Sequence, residues 1–148
     1  MATYVSNQPG RPPLNSTLCV GPWMDSCKVT PSAALALNDV IVCIEVPAGT
    51  RLETLRFYGG DFDTGTTLTA SMGYRTKLPG GTATLATAFS TDATTLRAAT
   101  TAWQELVFEP VKFNEPVQII VTVSAAATGV SGTPSLYMQA GGVIEGIT

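Results

Sequence analysis

The chain has 148 residues, the size of one ordinary domain, and a chain this long buries roughly 70% of its unfolded surface without help from metals or disulfides. Hydrophobic residues make up 45% and charged residues 13%, against a usual charged share of about 25%, which excludes a charged disordered chain and a coiled coil. His is absent, the net charge is −3 and the pI is near 4.7; this removes Ser-His-Asp and Cys-His catalysis and His-containing metal sites, and leaves no basic footprint for nucleic acid.

Residues 1–30 read as an extended arm. Pro9, Pro12 and Pro13 lack the donor N–H and restrict their neighbours, so this stretch cannot be helical. Gly21-Pro22 and Thr30-Pro31 interrupt it again, leaving short strands at most near residues 18–20 and 27–30. Its apolar side chains are candidate contacts for a partner: Pro12, Pro13, Leu14, Leu18, Trp23 and Met24. Trp23 has two readings, an anchor in a partner's pocket or packing onto its own sheet. The start of the chain lacks the apolar stretch of a signal peptide, and no run approaches the roughly 18 apolar residues of a membrane span. With no secretion signal, Cys19, Cys27 and Cys43 are expected as reduced thiols, and no disulfide is needed.

From residue 39 the hydrophobic period is two. Val40, Val42, Ile44 and Val46 are expected on one face of a strand, with Ile41 and Cys43 on the other. After a turn at residues 47–50, a strand over 52–58 carries Leu55 and Phe57, and Gly59-Gly60-Asp61 ends it. Residues 67–76 alternate again, with Leu68, Ala70, Met72 and Tyr74 on one side. Further strands are predicted at 82–89, 103–108, 117–123 and 135–139, and residues 90–101 are ambiguous between loop and short helix. Expected core residues include Trp103, Phe108, Ile119 and Val121. Short strands at close intervals, with turn signals between them and no long amphipathic helix, predict an all-β antiparallel jelly roll or related β-sandwich over residues 31–148, preceded by the arm.

Three features resemble chemical motifs. Asp63-Thr64-Gly65 matches the aspartic-protease triplet, but Asp, Thr and Gly are also ordinary turn residues, and that reading is favoured. Asp61-Phe62-Asp63 resembles the start of a calcium loop without the terminal bidentate Glu, so no metal site is assigned. Trp103, with only Gln104 and Glu105 beside it, reads as core rather than as a sugar-stacking platform. No catalytic residue and no cofactor are assigned, and the eight basic residues do not cluster with aromatics as a nucleic-acid surface needs.

The segment Asn38-Asp39-Val40-Ile41-Val42-Cys43-Ile44-Glu45-Val46-Pro47-Ala48-Gly49-Thr50 leads into the strand over 52–58. Then follow Asp61-Phe62-Asp63-Thr64-Gly65-Thr66 and the Thr/Ala strand to Gly73-Tyr74. In this succession of strands and turns, over about residues 33–144, the chain resembles the capsid decoration, or cement, proteins of tailed bacteriophages with a jelly-roll fold. The resemblance implies a non-enzymatic structural protein, made in the host cytoplasm, that sits on the outer surface of the phage head. There it would bridge major capsid subunits against the pressure of the packaged DNA. The implied partners are the major capsid protein and further copies of the chain, as a dimer or trimer, with no nucleic acid and no membrane. The alternative is a virion tail or fibre β module that binds a receptor or glycan.

Overall fold

The computed structural model describes residues 1–5 and 21–146. Among the described residues, ten strands build two facing sheets. One has the order β1 (Thr3–Val5), β3 (Val40–Val46), β9 (Val117–Ala125), β5 (Thr69–Thr76) and β6 (Leu85–Ala93). The other has the order β2 (Gly21–Val29), β10 (Leu136–Ile144), β4 (Thr50–Gly59) and β7 (Gln104–Leu106), and β8 (Val111–Phe113) pairs with the other end of β4. The fold is therefore an all-β sandwich, as the spacing of strands and turns predicts. All described pairings are antiparallel except that of β1 with β3.

The core is filled by alternate residues of both inner faces. Val117, Ile119, Val121 and Val123 point inward from β9, Leu55 and Phe57 from β4, and Leu136, Met138 and Ala140 from β10. In β3 the expected phase is half right. The register with β9 slips between Val42 and Ile44, a bulge that flips the side chains beyond it. Ile41 and Cys43 therefore face the core before the slip, and Ile44 and Val46 after it. Val40 and Val42 lie instead with Ile120 in a separate small cluster against Ala86.

Two expectations are corrected. Trp103 is not core: it is 45% exposed, because β7 is a three-residue edge strand and Trp103 precedes it. Nor are residues 1–30 a free arm where they are described. β2 pairs with β10 from Gly21↔Ile144 to Val29↔Leu136, and β1 pairs with β3 from Thr3↔Val40 to Val5↔Val42. Gly21-Pro22 does not stop β2, because β2 is an edge strand, where a missing N–H is tolerated. Trp23, Cys27 and Val29 face the core from it.

The ambiguous stretch after β6 contains one 3-10 turn, Thr95–Arg97, which buries Leu96. Cys27 and Cys43 are both buried free thiols, and the interaction with Cys27 together with burial pushes the Cys43 thiol well above its ordinary pKa.

Candidate interaction surface

The Asp63 triplet is a structural knot. The carboxylate is 2% exposed and accepts backbone N–H bonds from Leu68 (2.8 Å), Gly65 (3.0 Å), Thr128 (2.8 Å) and Thr67 (2.8 Å). These donors, Leu68 first among them, hold its pKa well below the ordinary carboxylate value against the opposing effect of burial. Both oxygens are occupied by donors, one by Gly65 and Thr128, the other by Thr67 and Leu68. The arrangement ties the loop after β4 to the loop after β9 and leaves neither Asp63 oxygen without a backbone donor. No group of three metal-ligating side chains occurs among the described residues.

Asp39 does similar work at the other edge. It is 2% exposed and accepts the N–H of Ala2 at 2.6 Å and of Ala36 at 2.9 Å. Val40 N donates to Ala2 O at 2.9 Å, so the first residues are fastened beside β3. Asn38, with φ of 66°, supplies the left-handed turn that aims Asp39.

Of the six candidate contacts, Pro12, Pro13, Leu14 and Leu18 lie outside the described residues. The remaining two are separated by the alternation of β2. Trp23 is 6% exposed and packs in the chain's own core, so of its two readings the structure gives packing. Met24, the next residue, is 65% exposed on the outer face.

That outer face carries an arrangement the linear sequence conceals. The register places Lys28 of β2 opposite Tyr137 of β10, and Tyr137 opposite Tyr58 of β4. Trp103 continues the line beside Tyr58. The Tyr58 ring lies 5.5 Å from that of Tyr137 and 6.1 Å from that of Trp103, centre to centre. A second row runs parallel to it: Ser26 opposite Gln139, Gln139 opposite Arg56, and Arg56 opposite Glu105. Arg56 Nε donates to Gln139 Oε1 at 2.6 Å, and the Arg56 guanidinium stands 4.9 Å from the centre of the Trp103 ring. Lys28 Nζ is 5.5 Å from the centre of the Tyr137 ring. An open hollow of about 430 Å³ lies between Lys28, Tyr137 and Trp103. A smaller one, of about 150 Å³, lies over Gly141 between Met24 and Thr54.

A row of half-exposed aromatics bracketed by an arginine and a lysine has the composition of a recognition surface. Tyr58 and Tyr137 are absent from the sequence-derived candidates. The signal for them is parity: each is the outward residue between two inward ones, Tyr58 after Phe57 and Tyr137 between Leu136 and Met138.

No family model and no curated protein matches the chain. Two solved structures share its fold. A chain of the capsid of Ralstonia phage GP4 superposes with a TM-score of 0.66 at 17% identity, over 99% of this chain and 100% of that one. A chain of the capsid asymmetric unit of cyanophage Pam1 superposes with a TM-score of 0.63 at 16% identity, over 92% of this chain and 94% of that one.

Proposed function

We propose that this chain is a structural virion protein that decorates the outer surface of a phage head and stabilises it by bridging major capsid subunits. The observation that carries the reading is the end-to-end likeness of fold to a capsid chain of equal extent, 99% of one chain against 100% of the other. A likeness confined to a common sandwich core would leave the edge strands and loops of one partner unmatched.

Three further features support it. The strand order, β2-β10-β4-β7 facing β3-β9-β5-β6 with successive strands from β2 to β5 alternating between sheets, supports a jelly-roll reading of the sandwich. The carboxylate of greatest chemical interest, Asp63, is consumed by backbone donors, so the reading needs no catalysis. The segment before residue 30 supplies one edge strand of each sheet, β1 and β2, and the outer sheet faces are left to make contacts. On the shell the chain works as a dimer or trimer, through contact area, without nucleic acid or membrane.

The purified protein is expected to co-sediment with head shells lacking it and to raise their resistance to heat or chelator. In fractionated virions it is expected with heads. Enrichment in tail fractions, with no binding to shells, overturns the reading in favour of a tail or fibre module.

A further inference from the structure

We propose that the outward row Lys28–Tyr137–Tyr58–Trp103, with the polar row beside it, is a platform for an acidic sugar chain, one bearing uronate carboxylates. The proposal does not rest on the shell-binding role. It rests on the pairing of two rows in register on one sheet face.

A pyranose ring presents C–H bonds on its faces and hydroxyl groups around its rim. A surface that binds a chain of such rings needs a line of aromatic faces beside a line of hydrogen-bonding groups. The first row supplies three aromatic rings at spacings of 5.5 and 6.1 Å, of the order of one sugar unit. The second supplies hydroxyl, amide, guanidinium and carboxylate groups from Ser26, Gln139, Arg56 and Glu105, one register step away. The open hollow between Lys28, Tyr137 and Trp103 gives the chain its seat.

Charge selects the kind of sugar. The molecule as a whole is acidic, with a net charge of −3. Yet the aromatic row is bracketed by cations, Lys28 at Tyr137 and Arg56 at Trp103. Arg56 uses Nε to hold Gln139, and a guanidinium has four further N–H donors on its terminal nitrogens, the fork that pairs with a carboxylate. An anionic chain lying along the rings therefore meets a cation at either end.

A protein partner fits this face less well. Protein hot spots sit at the centre of a patch sealed by surrounding contacts. Here the rings form a strip one residue wide, and the neighbouring row in register is polar throughout.

The test uses the full chain and two polymers, alginate, a polymer of uronic acids, and dextran, which is neutral. The protein has two tryptophans, and Trp23 is 6% exposed against 45% for Trp103, so a change in fluorescence on binding reports on the row. Alginate is expected to retard the protein in affinity electrophoresis and to shift its emission, with both effects weakened by salt. Dextran is expected to do much less. Trp103→Ala and Tyr137→Ala each should weaken alginate binding about tenfold with an unchanged circular dichroism spectrum. Arg56→Gln should remove the preference for alginate over dextran. The proposal is overturned if alginate causes no retardation, or if Trp103→Ala binds it as the parent does. It is equally overturned if Trp103→Ala loses attachment to head shells while the parent binds neither polymer, which makes the row a protein contact.

Discussion

Asp63 shows how one side chain can carry the look of chemistry and do structural work. Replacing it by Asn keeps the shape but turns one acceptor oxygen into a donor facing backbone N–H groups. Asp63→Asn is therefore expected to lower the melting temperature at neutral pH. The sign of the pH dependence follows from the lowered pKa: the folded state holds the carboxylate charged, so the stabilisation is complete above the unfolded value of about 3.9 and is lost as pH falls through the folded one. Melting curves from pH 7 downward should show the parent losing stability on acidification and the variant following a flatter line, the two converging in acid. Parallel curves would mean that the carboxylate contributes nothing through its charge. The two tryptophans give a second contrast. Trp23→Ala should cost about 3–5 kcal/mol by opening a cavity, whereas Trp103→Ala, whose ring is half in solvent, should cost less than about 1 kcal/mol in a denaturant titration. The sequence alone points to Trp103 as core and leaves Trp23 open between a partner contact and packing onto its own sheet. The alternation within β2 decides the matter for Trp23, and only the register of β7 against β4 decides it for Trp103.

At the scale of the strand, the sequence was most legible where a strand is central and regular. In β9 the alternation of Val117, Ile119, Val121 and Val123 with Gln118 and Thr122 transfers directly to the inner and outer faces. It was least legible where the ladder breaks. A bulge adds a residue without changing the local composition, so the slip in β3 after Val42 is invisible in a run of Val, Ile and Cys that is apolar in either phase. The same holds in β10, where the register against β4 shifts between Gly141 and Gly142. There the sequence does carry a mark, two adjacent glycines. A Cβ on Gly142 would stand 2.1 Å from the carbonyl oxygen of Arg51, a backbone atom with no freedom to retreat. Gly142→Ala should therefore push β10 and β4 apart and cost about 1–3 kcal/mol. A variant as stable as the parent in urea titration would show that the two strands can separate there freely. The row of Tyr137, Tyr58 and Trp103 belongs to this scale as well. Each residue sits on a different strand segment, and nothing short of the pairing register brings them into one line.

For the molecule as a whole, the question is what the first thirty residues are for. Composition alone favours an arm that serves attachment and is dispensable for folding. The pairing of β2 along its full length with β10 argues the reverse for residues 21–29. Trp23, Cys27 and Val29 enter the core from β2, and each fully buried apolar side chain contributes on the order of 1.5–3 kcal/mol. Three of them together rival the 5–15 kcal/mol that a whole domain has in hand. Their loss would also uncover the edge of β10, a strand otherwise paired on both sides. A chain beginning at Thr30 is therefore expected to lack a cooperative melting transition and to aggregate. A chain beginning at Gly21 keeps β2 and, among the described contacts, loses the pairing of β1 with β3, the Ala2 carbonyl that accepts from Val40, and the Ala2 donor to Asp39, which retains the N–H of Ala36. It should fold, with a lower melting temperature. Circular dichroism melts of the two truncations, run beside the full chain, separate the cases. If the chain from Thr30 melts cooperatively near the parent temperature, β2 is an accessory strand. The attachment role first read from the prolines and large apolar residues of that segment would then return in place of the structural one.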